Sequence, residues 1–192
     1  MPGPDTTLVL ASRSPQRRAI LETLGVPFEV RAVNVVEEDE GVPVAVAREN
    51  ALRKAVAGKA RGDEIVLGVD TLVAIGLEIW GKPPNEDAAR ETLRHLAGRT
   101  HDVVSGVALV DRDGAVRGAT AVTKVTFRPL DEATVEWYLR SGEWEERAGG
   151  YAIQGRGGAL VERIDGDYLN VVGLPVGTLL GLWPDLLALA AA

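Results

Sequence analysis

Residues 65–83 read Ile-Val-Leu-Gly-Val-Asp-Thr-Leu-Val-Ala-Ile-Gly-Leu-Glu-Ile-Trp-Gly-Lys-Pro, and the fold is decided by how this stretch is read. The opening run, rich in Ile, Val and Leu, predicts a buried strand ending on Asp70. A carboxylate just beyond an apolar strand stands where open α/β sheets place their ligands. Lys82 follows Gly81, which permits a turn or close backbone approach, and precedes Pro83 and Pro84, which stiffen the chain beyond it. An acid and a base on the two sides of one hairpin suit a metal and a phosphate held together. The same residues also describe a solvated acid and a loop lysine.

Working towards the N-terminus, residues 8–11 form a short apolar strand. It breaks into Ser12-Arg-Ser-Pro-Gln-Arg-Arg18. Ser14 is suited to an N-cap and Pro15 to the first helical position, with Ala19, Ile20, Leu21 and Leu24 on one face and Gly25 at the end. Such a helix start presents free N–H groups to an anion, and Arg13, Arg17 and Arg18 add charge there. An ordinary capped helix with surface arginines fits the pattern as well. Residues 28–36 predict one or two strand segments. The acidic run 37–40 then reads as a solvated turn or as a source of Mg²⁺ ligands. Residues 43–61 predict a helix, with Val44, Ala47, Ala51 and Ala55 at helical spacing and Lys54 among these small residues, either snorkelling to solvent or reaching into a cleft.

Towards the C-terminus, Asn85 caps a helix over 86–97, and strands at 100–110 and 115–128 flank a turn carrying Asp113-Gly114. Asp131 caps a helix over 132–141. Residues 143–158 are rich in glycine and carry Tyr151 and Gln154, a composition suited to a planar base or to a structural connector. A strand at 159–164, a turn at 165–167, a short extended piece at 169–172 and a last helix interrupted at Pro184 complete the chain. The whole reads as a single α/β domain over 1–192, with two lobes.

Composition narrows the function. A chain of 192 residues with 46% hydrophobic and 26% charged residues has enough apolar surface for a sizeable core. A net charge of −7 without a basic block argues against a nucleic-acid surface. With no cysteine there is neither a disulfide nor a thiolate metal site. No signal peptide and no membrane span are expected, which is compatible with the cytoplasm. The two histidines, His95 and His101, fall on different elements, leaving little support for a histidine metal motif or a Ser-His-Asp triad. A dinucleotide-binding fingerprint is absent, because Ser-Arg-Ser-Pro follows the first strand.

Taken together, these motifs resemble the Maf family of nucleoside triphosphate pyrophosphatases. The resemblance rests on residues 10–18, Glu37-Glu38, Asn50-Ala-Leu-Arg-Lys-Ala55, Gly68-Val-Asp-Thr71, Gly81-Lys-Pro83, Gly98-Arg-Thr-His101, Ala148-Gly-Gly-Tyr-Ala-Ile-Gln-Gly155 and Val172-Gly-Leu-Pro175. It implies an elongated mixed β-sheet with flanking helices and two lobes around a cleft, similar to inosine triphosphatase-type enzymes. It implies hydrolysis of a nucleoside triphosphate to the monophosphate and pyrophosphate with Mg²⁺ or Mn²⁺, a house-cleaning role, a link to cell-division arrest, and a homodimer. By resemblance Asp70 is the proton acceptor, Asp70 and Glu38 are the metal partners with Glu37 the lesser choice, and Ser12, Arg17, Lys54 and Lys82 bind phosphate. Thr71 and Gln154 match the class acting on dTTP and UTP rather than on 7-methyl-GTP. Gln16 departs from that class, which has arginine there. Asn50 also departs from the usual apolar residue, with no role implied. The alternatives are the same reaction on 7-methyl-GTP or another base, and a nucleotide-binding regulatory protein with little catalysis.

Overall fold

The computed structural model describes residues 6–191. Its strands are β1 (Thr7–Leu10), β2 (Phe28–Val30), β3 (Glu64–Ile75), β4 (Glu78–Trp80), β5 (Thr100–Asp111), β6 (Val116–Phe127) and β7 (Val161–Asp165). They form one mixed sheet in the order β2-β1-β3-β5-β6-β7, with β4 on β3. β1 runs parallel to β2 and β3, and the remaining pairs are antiparallel. The helices are α1 (Pro15–Thr23), α2 (Pro43–Ala57), α3 (Glu86–Leu96), α4 (Glu132–Leu139), α5 (Tyr168–Val172) and α6 (Val176–Leu182).

The period-two pleat sorts side chains to the two faces of the sheet. On one face Val66, Leu72, Ala74, Val104 and Ala108 pack beneath α2, against Val46, Ala47, Ala51 and Ala55. The seam is unusually close. A methyl on Gly68 would overlap the Ala51 carbonyl oxygen, and one on Gly106 the Ala47 carbonyl oxygen, so the helix backbone rests directly on the sheet.

The opposite face carries two apolar clusters. Ile65, Leu67, Val69, Val107 and Leu109 pack with Ile20, Leu21, Leu179 and Trp183. Further along, Val73, Val103, Val125 and Phe127 pack with Leu93, Leu96, Val135, Tyr138 and Tyr151. Val172 of α5 touches both.

β3 does not stop at Asp70, as its apolar run suggests, but continues to Ile75, so Asp70 is a mid-strand residue. What ends there is the neighbour. β1 pairs with β3 only as far as Leu10 opposite Leu67, and β4 begins pairing opposite Val73. Between those points one edge of β3 has no strand partner, and the cleft opens into that gap.

Four further expectations change. Only Phe28–Val30 of 28–36 is a strand, because β1 offers just four residues to pair with. α2 ends at Ala57 rather than 61, where Gly58 lies so close to Val66 that no side chain fits. The piece at 169–172 is helical: Asp167 caps it, accepting from Leu169 N at 2.8 Å, and buried Asn170 donates to Val103 O and Thr123 Oγ1, both at 3.0 Å. The last helix stops at Leu182, and Pro184–Ala191 continues as a 3-10 helix.

Candidate active site

The cleft has a volume of about 860 Å³ and takes its walls from the β1–α1 turn, the extended segment after β2, the gap in β3 and the loop after β4. Asp70, Lys54 and Arg17 are all buried in it.

Asp70 projects from the α2 face of the sheet. Lys54 Nζ donates to its Oδ1 at 2.6 Å, and Asn50 Nδ2 donates to its Oδ2 at 3.1 Å. Lys54 and Asn50 are four residues apart on α2, on the stripe that faces the sheet. Lys54 therefore does not snorkel. Its ammonium also meets Glu37 Oε1 at 2.9 Å.

The acidic turn is arranged differently from expectation. Glu38, the anticipated metal partner of Asp70, directs its carboxylate to Arg53 at 2.7 Å, while Glu37 is the acid that joins Lys54. The two neighbouring acids thus face different cations in this arrangement. Both still line the cleft.

Thr71, the next residue on β3, points to the other face. Arg17 reaches the same place from α1, donating from Nε to Gly173 O at 2.9 Å, from Nη1 to Ser12 Oγ at 3.1 Å and from Nη2 to Thr71 Oγ1 at 3.1 Å. Burial pushes the Arg17 guanidinium down from its ordinary value, opposed by the charges of Asp70 and Glu37. Such a group remains cationic at neutral pH. Thr71 is further fixed by Ser105 at 2.9 Å.

Ser14 caps α1 as expected, accepting from Arg17 N at 3.4 Å, and Gln16 accepts from Ser14 Oγ at 3.0 Å while lining the cleft. Lys82 stands at the rim, paired with Glu146 at 2.9 Å, both well exposed. Gln154 is exposed and outside the cleft lining, so the structure does not bring it to the other candidate residues.

Three groups escape a reading of the sequence. Asn50 carries no local signal. Arg147 lines the cleft with a buried Nε that has no partner among the described residues, and its position just before Gly149-Gly150 is the available clue. Tyr151 stands out in the glycine-rich stretch, but its support does not: His101 Nε2 bonds its hydroxyl at 2.9 Å, and both rings stack edge-on with Phe127.

For a metal, the cleft offers hard carboxylate oxygens. Among the described residues no group of three or more His, Cys, Asp or Glu converges as a self-sufficient cage. That donor set fits a Mg²⁺-type ion held by one or two carboxylates together with water and substrate phosphates.

A family model for Maf-like proteins matches residues 7–185. A dTTP/UTP pyrophosphatase of Dictyoglomus thermophilum is 45% identical over 88% of this chain and 90% of its own. One from Bacillus cereus is 44% identical over 90% of this chain and 86% of its own. Among solved structures, a HAM1 protein from Coxiella burnetii covers 81% of this chain and 91% of its own, at 16% identity and a TM-score of 0.46.

Proposed function

Because this chain belongs to the Maf family, we propose that it hydrolyses nucleoside triphosphates, dTTP and UTP foremost, to the monophosphate and pyrophosphate. The observation that carries the proposal is the convergence of Asp70, Lys54 and Arg17 in one cleft at an interrupted sheet edge. The likeness to dTTP/UTP pyrophosphatases over most of both chains supports the choice of base.

In this reading a triphosphate lies across the gap in β3. Arg17, Lys54 and Lys82 balance its charge, and the first turn of α1 offers N–H groups. Asp70 accepts a proton from the water that attacks the α-phosphorus. The bond to the bridging oxygen breaks, and pyrophosphate leaves with the charge those cations stabilise. A divalent ion, Mg²⁺ or Mn²⁺, when held by Asp70 and the Glu37–Glu38 turn, would polarise the phosphoryl oxygens and lower the pKa of the water. Gln16 and Thr71 border the cleft as base-class residues. For Gln154 the same role requires the 152–158 turn to approach the substrate.

The test is incubation with Mg²⁺ or Mn²⁺ and dTTP, UTP, CTP, GTP, 7-methyl-GTP or ITP, with pyrophosphate, orthophosphate and nucleotide products measured separately. Pyrophosphate with monophosphate, fastest from dTTP or UTP, is the expected result. Orthophosphate with diphosphate would refute cleavage between the α- and β-phosphates. Binding without turnover of any nucleotide would favour a regulatory protein instead.

A further inference from the structure

We propose that Asn50 is the positioning residue of this cleft: one side-chain amide holds the Asp70 carboxylate and the backbone of the acidic turn in a fixed relation. What that relation serves rests on the pyrophosphatase reading. The clamp itself rests on geometry.

Asn50 is 2% exposed in the middle of α2, on a buried stripe with Val46, Ala47, Ala51, Lys54 and Ala55. An amide in such a place costs stability unless its groups are paired. Here they are. Glu38 N–H donates to Oδ1 at 2.8 Å, and Nδ2 donates to Glu38 O at 2.8 Å and to Asp70 Oδ2 at 3.1 Å. The first two bonds reproduce the double bond of an antiparallel backbone pair, with a side chain in place of a strand. The third uses the remaining hydrogen of the same nitrogen.

No other residue of this size does all three tasks. Aspartate lacks both donors and sets a second charge against Asp70. Leucine lacks everything but volume. Serine is too short to bridge both Glu38 groups. The other ties on the turn are side-chain ion pairs, with Glu37 and Glu38 each about half exposed, and such pairs hold geometry loosely. Asn50 is the buried link. It joins a carboxylate on β3 to two carboxylates on an irregular segment, and a metal–phosphate site needs that relation kept to a fraction of an ångström.

The experiment uses the full chain, with Asn50→Leu as the main variant. Leucine matches the volume and favours the helix, so melting should stay close to that of the wild type. For the most active nucleotide, kcat should fall roughly ten- to hundredfold, the usual cost of losing an outer support of an acidic site. KM should change by less than about threefold, because Arg17 and Lys82 are untouched. Without nucleotide, amide exchange over residues 34–41 should accelerate in Asn50→Leu and stay unchanged in Asp70→Asn. Asn50→Asp, of equal size, removes both donors and should lose at least as much kcat, which decides the matter if the leucine variant folds poorly. A kcat within twofold of wild type in the folded variants, or unchanged exchange over 34–41 in Asn50→Leu, overturns the proposal. A wild-type protein that cleaves no nucleotide defeats the functional reading instead, and the exchange measurement still decides the clamp.

Discussion

Lys54 Nζ stands 2.6 Å from Asp70 Oδ1 and 2.9 Å from Glu37 Oε1, so one ammonium joins a helix, a mid-sheet strand and an irregular turn. Removing the ammonium leaves Asp70 as a buried carboxylate without its cation. Lys54→Met should destabilise the fold by about 3 kcal/mol, as when one member of a buried ion pair is deleted. Adding Asp70→Asn to that variant should restore part of the loss, because no unpaired charge remains. Thermal melting of the two single variants and the double variant measures the coupling.

Asp70→Asn alone keeps the side chain's shape and removes its basicity. Turnover should fall by roughly 10²–10⁴, the span of general-base contributions, with nucleotide binding retained. Pyrophosphate release and calorimetric titration check the two halves. A variant with wild-type rate would remove Asp70 from the role of base.

Gln16→Arg should raise the preference for dTTP and UTP. Gln16 already lines the cleft beside Ser14. Exchanging a neutral hydrogen bond for a charge-assisted one is worth about 1 kcal/mol, or roughly fivefold. Ratios of kcat/KM across the nucleotide panel give the answer, and an unchanged ratio would detach this position from base choice.

His101 makes stability depend on pH. It is fully buried against Phe127 and Tyr151, and burial lowers its pKa from 6.5 to about 4, with Asp102 opposing weakly. The unfolded chain therefore binds a proton that the folded chain refuses. Stability is complete above about pH 6.5 and declines as pH falls towards 4. The loss reaches on the order of 3 kcal/mol. Melting curves from pH 8 to 4.5 should show this decline, and His101→Gln should flatten it over that window.

Gly149→Ala tests the loop that carries Lys82. Gly149 has φ 67°, and a methyl there would lie 2.7 Å from Val73 Cγ2. Its N–H donates to Gly81 O at 3.0 Å. The variant should lose about 1–3 kcal/mol from the strained backbone and the clash. It should also raise KM, because Lys82 adjoins the disturbed carbonyl.

Features with local causes were legible in the sequence. Ser14, Asn85 and Asp131 cap α1, α3 and α4 as their side chains predict. The β5–β6 hairpin follows from its Asp-Gly turn. Features with distant causes were not. Nothing in the apolar run of β3 says that β1 stops opposite Leu67, so the strand seemed to end where only its neighbour does. The β-branched pair Val171-Val172 favours an extended piece, and only Asp167 and the bonds of Asn170 across to β5 and β6 make it helical. The motif groups Asp70, Lys54 and Arg17, and the fold brings these three to one cleft. It could not say which carboxylate of Glu37-Glu38 turns inward, since both rotations satisfy the same two letters.

The contact of α2 with Gly68 and Gly106 has a mechanical consequence. At these two glycines helix backbone rests on strand backbone with no side chain between them, which leaves neither clearance to slide nor a layer to compress there. Asn50, Lys54 and Asp70 therefore behave as one rigid jaw. Any closing of the cleft on a nucleotide has to come from the opposite side, from the glycine-rich connector before β7. The same fit sets a limit on redesign: residues of the opposite side can be exchanged to alter what is bound, but a single added methyl under the helix would shift Asn50, Lys54 and Asp70 together.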